Sequence, residues 1–183
     1  LLFITLALLI QGCGSFEETI CKETEGQIRN DGLIYLPNQQ EPFTGKNLCK
    51  YENGQKAKEG YYKDGVRDGK WTWWYKNGQK KSEGNYKDDR RDRKWTDWYE
   101  DGQIRSEENY KDGKGDGKWT GWDGYGQIRL EVNYKDGKKD GKWIEWYEKG
   151  QKQSEVNYKD GKEDGKWTWW YENGRRDKEV NYK

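Results

Sequence analysis

"GKWTWWYKNGQKKSEGNYKD", residues 69–88, places Trp71, Trp73 and Trp74 within four positions and surrounds them with lysine, glycine and asparagine. Rings this large in so polar a setting have two readings. They form a platform for a ligand such as a sugar, a nucleobase or a choline-like cation, or they are the core of a fold with few aliphatic residues to bury. The rest of the chain bears on the choice. Trp71 recurs as Trp95, Trp119, Trp143 and Trp167, and Trp74 as Trp98, Trp122, Trp146 and Trp170, always 24 residues on. Tyr62, Tyr86, Tyr110, Tyr134, Tyr158 and Tyr182 keep the same step, as do the glycines of Asn53-Gly54, Asn77-Gly78, Asp101-Gly102, Tyr125-Gly126, Lys149-Gly150 and Asn173-Gly174. A fixed period of this length is the signature of a repeat array, here of about six units.

Composition narrows the function. The chain has 35 basic and 34 acidic residues, interleaved along its length, so it has no basic face for nucleic acid. Charged residues make up 38 % of it, a level associated with disorder, but twelve tryptophans and fourteen tyrosines argue for a packed structure. Histidine is absent, and the carboxylates repeat with the array instead of forming one asymmetric acid–base pair, so the expectation is a protein that is not an enzyme and carries no cofactor. Each "YKDGVRDGKW"-type segment supplies two carboxylates beside lysines, well short of a calcium shell, and Asp-Gly reads as a turn. With no histidine and three cysteines in all, no zinc site is expected.

The N-terminal stretch follows a different logic. "LLFITLALLIQGCGS" is an apolar run too short to span a bilayer and suited to the apolar region of a secretory signal. Its Ile10-Gln11-Gly12-Cys13 boundary resembles the lipobox of bacterial lipoproteins, which implies cleavage before Cys13 and lipidation of its thiol. The expected organisation is a signal peptide over 1–13, a linker and cap over 14–44, and the hairpin array over 45–183. The expected location is the bacterial cell envelope, lipid-anchored, at the outer membrane in preference to the inner. In such an oxidising compartment Cys21 and Cys49 are a disulfide candidate, a closure worth ~3 kcal/mol on loop entropy.

Within the unit, Asn77-Gly78 between aromatic strands predicts a two-residue type I′ hairpin. That turn places Tyr75 opposite Lys80, Trp74 opposite Lys81 and Trp71 opposite Gly84. Side chains alternate along a strand, so one face gathers Trp71, Trp73 and Tyr75. On the fourth unit the same face reads Trp119, Ile128, Leu130, Val132 and Tyr134, and on the fifth Trp143, Tyr147, Val156 and Tyr158. Ile128 and Leu130 compensate for Gly121 and Asp123 on the partner strand. This face is the expected core. The opposite face carries Trp74, Trp98, Trp122, Trp146 and Trp170, set against Lys81, Arg105, Arg129, Gln153 and Asp177, with Glu83 and its repeats opposite Thr72. It is either a groove for an extended partner or a row of rings stacked on neighbouring hairpins and basic stems.

The units, with "EPFTGK" at 41–46 ahead of them, resemble the MORN-repeat variant, in particular the bacterial proteins labelled the YwqK family of antitoxins, many of which carry lipoprotein signals. The resemblance spans roughly residues 33–183. It implies an all-β, elongated antiparallel meander of hairpins in an open single-layer sheet, and a role in contacting proteins or membranes. The expected function is a lipid-anchored envelope scaffold with a protein partner. An antitoxin- or immunity-like binder is the alternative, and a glycan- or choline-binding module a third class.

Overall fold

The computed structural model describes residues 19–21 and 26–182. The apolar N-terminal run and Cys13 lie outside the described residues. Among the described residues there is no helix, and fifteen strands form one sheet whose order follows the chain. Each unit is a hairpin. Its first strand is Gly45–Lys50, Val66–Trp74, Arg90–Trp98, the interrupted pair Lys114–Gly115 and Gly117–Trp122, Lys138–Trp146, or the interrupted pair Lys162–Glu163 and Gly165–Trp170. Its second strand is Lys56–Lys63, Lys80–Lys87, Ile104–Lys111, Ile128–Lys135, Lys152–Lys159 or Arg176–Tyr182. All neighbours within the array are antiparallel. The fold is the open hairpin meander that the resemblance to the repeat family implies.

The turn chemistry differs from the expectation. The Asn77-Gly78 turn is not type I′. Tyr75 N–H donates to Gln79 O at 2.8 Å and Gly78 N–H to Tyr75 O at 3.0 Å, so the loop holds three residues, and only Gly78 has positive φ (87°). This is the type I turn closed by a left-handed glycine, the commonest three-residue hairpin loop. Trp74 therefore pairs with Lys80 and not with Lys81, and the ladder shifts between Trp74 and Trp73, so that Trp73 pairs with Ser82 and Trp71 with Gly84. Lys81 is the extra residue of a β-bulge. The two-residue type I′ turns lie between units instead. Asp64 and Gly65 have φ of 48° and 80°, with Lys63 paired to Val66, and Asp112, Asp136 and Asp160 take the same left-handed conformation.

A second irregularity shapes the core. Glu59 pairs with Thr72 but Tyr61 with Asp68, so three residues, 69–71, face Gly60 alone. This three-residue bulge rides on a left-handed residue, Gly69 in the second unit and Gly117, Gly141 and Gly165 in later ones. It carries Trp71 across the preceding strand. A Cβ built on Gly60 would lie 2.1 Å from the Trp71 ring, and one on Gly84 2.2 Å from Trp95. Only glycine leaves room for the indole there. Trp71 and Trp95 are 2 % and 1 % exposed. Their indole N–H groups donate to the carbonyls of Tyr61 (3.1 Å) and Asn85 (3.0 Å), satisfying the one polar atom of each buried ring. In later units the glycine is replaced by Val132 and Val156, themselves buried, and Trp143 turns its N–H to Glu145 instead.

At the third unit the left-handed bulge residue is Arg93, φ 59°, with an exposed side chain. A left-handed backbone costs an ordinary L-residue about 1–2 kcal/mol. Arg93→Gly is therefore expected to stabilise the protein by about 1 kcal/mol, read as a rise in the denaturation midpoint at unchanged m-value.

Neighbouring units are zipped at both ends. Tyr51, Tyr75, Tyr99 and Tyr147 donate their phenols to the carbonyls of Trp74, Trp98, Trp122 and Trp170 at 2.7–2.9 Å. At the inter-unit turns the N–H of Gly113, Gly137 and Gly161 donates to Arg91, Gly115 and Lys139 O at 2.8 Å. The fourth unit breaks the first series because Asp123 replaces the tyrosine and caps its own loop, accepting from Tyr125 and Gln127 N–H.

The N-terminal edge is closed. Thr19–Ile20 adds a parallel strand to Gly45–Lys50, and Cys21 is bonded to Cys49 beside it. A small two-stranded sheet, Gln27–Ile28 with Ile34–Tyr35, presents Ile34 to the aromatic core of Phe43, Tyr62 and Trp71.

Candidate interaction surface

The bulge after each hairpin loop decides what borders the second tryptophan row. Trp74, Trp98, Trp122, Trp146 and Trp170 are all half-buried on the face opposite the Trp71-type core. Their cross-strand partners are Lys80, Ile104, Ile128, Lys152 and Arg176. Arg105 and Arg129, expected beside these rings, fall on the other face: Arg105 approaches Asp97 at 3.8 Å and Arg129 approaches Asp123 at 3.9 Å. Asp97 and Asp123 hold the places of Trp73 and Tyr75 in the repeat. Ile128, expected in the core, pairs with Trp122, whereas Leu130 does pair with Gly121 and Val132 with Trp119.

Lysines cover the outer rings. Lys56 lies 5.4 Å from the Trp74 ring centre, Lys80 5.5 Å from Trp98, and Lys152 6.0 Å from Trp170. Each interaction adds about 0.5–1 kcal/mol at an exposed site. The repeat positions of these lysines are Ile104 and Ile128 in the middle units, 39 % and 37 % exposed. The centre of this face is thus an apolar window of Ile104, Trp122, Ile128 and Trp146, between cation-covered ends. Sequence reasoning missed this window by one position of register.

Around the window runs a line of carboxylates held by lysines. Glu83 meets Lys70 at 3.1 Å and Lys80 at 2.6 Å, and Thr72 donates to it at 3.2 Å. Glu155 meets Lys142 at 2.7 Å and Lys152 at 2.6 Å, and Glu179 meets Lys166 at 2.8 Å. Partial burial alone would raise the Glu83 pKa, but hydrogen bonds from Lys80 and Lys70 outweigh it and hold the carboxyl below its ordinary value of 4.5. The hydrogen bonds of Lys142 and Lys152 lower Glu155 likewise. Because the folded-state pKa values are lowered, the stability these groups contribute is present above the unfolded value and lost as pH falls through the folded one. The melting temperature is expected to drop as acid is added below pH 4.5, the ordinary value, and less steeply in the Glu83→Gln/Glu155→Gln variant.

A further departure of the core face from its pattern lies in the third unit. Glu108 stands where Gly84 and Val132 stand in other units. It accepts from Tyr110 OH at 2.7 Å and meets Arg91 at 3.4 Å. Burial, and then this hydrogen bond, push the Tyr110 pKa up to about 12. Among the described residues, no group of three or more histidine, cysteine or acidic side chains is arranged to hold a metal ion, and no helix is long and apolar enough to cross a membrane.

An open antiparallel meander of stacked hairpins, with Trp71, Trp95 and Trp167 buried on one face and a row of half-buried rings on the other, is a repeat scaffold. More specifically, the chain belongs to the MORN repeat variant family, whose model matches residues 43–64, 67–88, 94–112, 139–160 and 163–183. The fourth hairpin falls between the matched segments. It is the unit with Gly115, Gly121, Asp123 and an exposed Tyr125. Repeats of this kind often mediate protein or membrane interactions. No curated protein matches the chain.

Proposed function

We propose that this is a lipid-anchored protein of the bacterial envelope that acts, without catalysis, as a scaffold for a protein partner. The observation that carries the reading is the apolar window of Ile104, Trp122, Ile128 and Trp146. Outer units place lysine or arginine at the same repeat positions, so the fold does not need isoleucine there. Exposed aliphatic side chains beside tryptophan, rimmed by Lys–Glu pairs, have the composition of a small protein-binding patch. The anchor rests on the Gly12-Cys13 boundary and its likeness to a lipobox.

The test uses the full chain in its native host. In vivo crosslinking is expected to trap one stoichiometric partner with the native chain and to lose it with Ile104→Lys/Ile128→Lys, at an unchanged melting temperature. Retention of the partner by that variant contradicts the assigned surface. A toxin among the trapped partners would identify the scaffold as an immunity protein. Cys13→Ser is expected to shift the protein from the membrane to the soluble or unprocessed fraction. An intact, unlipidated Cys13 in the native protein, seen by mass spectrometry, contradicts the anchor.

A further inference from the structure

On the core face, one column of the repeat reads Arg67, Arg91, Gly115, Lys139, Glu163. Each residue pairs with the tyrosine that closes the preceding unit. Three of the five are cations, and each lies over the rings of its own unit. The Arg67 guanidinium is 3.9 Å from the centre of Tyr86. That of Arg91 is 4.2 Å from Trp95 and 5.3 Å from Tyr110. The Lys139 ammonium is 3.7 Å from Trp143 and 4.6 Å from Tyr158. The cation lies against both the tryptophan and the closing tyrosine in the third and fifth units, and against the tyrosine in the second. With it present, the ring centres stand 6.4 Å apart in the Trp71–Tyr86 pair and 6.3 Å in Trp143–Tyr158. Without it they close to 4.5 Å in Trp119–Tyr134 and 4.6 Å in Trp167–Tyr182.

The two closed slots differ. At Gly115 the Trp119 ring has moved in, 2.9 Å from where a Cβ would stand, and the nearby Glu108 is engaged by Arg91. At the last unit the slot residue is an exposed carboxylate. Glu163 makes no ion pair among the described residues, and its charge helps to raise the pKa of Tyr158, after burial. Trp167 is further flanked by Tyr158 at 5.4 Å and Trp169 at 5.7 Å. An acid stands here in the column that supplies cations to the aromatic rings of three other units.

We propose that an arginine side chain from a partner polypeptide parts the Trp167–Tyr182 rings, which stand 4.6 Å apart in its absence, and pairs with Glu163, which holds the column position from which Arg91 and Lys139 reach the rings of their own units. Two of the three slots filled from within hold arginine. A planar guanidinium stacks between rings and offers a paired donor edge to the carboxylate, which an ammonium does not. The site lies on the face opposite the apolar window and does not depend on that window's role.

The experiment is a titration followed by the indole N–H resonances of the full chain, with Trp167→Phe to assign the signal. N-acetyl-arginine amide should move the Trp167 resonance saturably, in the millimolar range expected of one cation–π contact plus one charge-assisted pair. The neutral isostere N-acetyl-citrulline amide should leave it in place, and Trp119 should not respond. Glu163→Gln should weaken the response by about fivefold or more. Glu163→Arg, which restores the pattern of the third unit, should move the resonance without ligand and abolish the titration. No saturable shift with arginine, an equal shift with citrulline, or an undiminished response in Glu163→Gln overturns the proposal.

Discussion

Trp95→Ala is expected to lower stability by about 3–5 kcal/mol, the range for truncating a large aromatic side chain in a core, and Trp98→Ala by no more than about 1–2 kcal/mol. The two residues are three positions apart on one strand and belong to the same repeat. Trp95 is 1 % exposed, lies against Gly84 with no space for a Cβ between, packs on Tyr86 with ring centres 5.0 Å apart, and donates its N–H to Asn85 O. Truncation removes all of these at once and leaves a cavity whose floor is a glycine, with no side chain to relax into it. Trp98 is half-buried under Lys80 on the opposite face, and its carbonyl, not its ring, holds Tyr75. Chemical denaturation of the two variants measures the difference directly. Equal losses would mean that both faces are core.

Removal of one whole period, residues 119–142, is expected to keep the β-sheet signal and lower the melting temperature, whereas removal of half a period, 119–130, is expected to unfold the surrounding region. Full-period deletion joins Lys118 to Trp143, and the pairing of Thr120 with Glu107 is replaced by Ile144 with Glu107 in the same register. Both loop zippers survive in kind, because Tyr99, which now donates to Trp122 O, would face Trp146 O at the same spacing. Half-period deletion joins a first strand to the end of a second and misplaces the three-residue bulge, its left-handed glycine and the tryptophan it carries. In a stack where each unit contacts only its neighbours, the first change removes one unit and one interface, and the second breaks the interface between those left. Circular dichroism with thermal melts separates the two outcomes.

Much of this was legible in the sequence. The period, the hairpin unit, the Trp71-to-Gly84 pairing and the placing of Trp71, Trp95 and Trp167 in the core follow from spacing and alternation alone, whereas Trp119 and Trp143, expected there too, are only half-buried. The loop was misread because Asn-Gly is the strongest type I′ signal, and a competing signal went unused. Tyr125 and Lys149 occupy the asparagine's position, and neither adopts positive φ readily, whereas the glycine after them never changes. The inter-unit turn has aspartate first in every copy, from Asp64 to Asp160, as a position with positive φ demands. That one loop type moved Lys81, Arg105, Ile128 and Arg129 across the sheet, and with them the composition of the candidate surface. The Gly60 and Gly84 seats were not legible, because a glycine in a strand states only that a side chain is absent, not which ring takes its place. The column from Arg67 to Glu163 could be read from the period. Its meaning appears only in the ring separations.

Trp71 and Trp95 are sealed on one face of the sheet, whereas Trp74, Trp98, Trp122 and Trp146 are half-buried and available on the other. Hydroxyl-radical footprinting of the native chain, read tryptophan by tryptophan by mass spectrometry, tests this division most directly. Trp71 and Trp95 should be oxidised slowly, and Trp74, Trp98, Trp122 and Trp146 several-fold faster, with Trp122 and Trp146 protected when the partner is bound. Equal rates for the two sets, or protection by the partner confined to the Trp71-type rings, would contradict it.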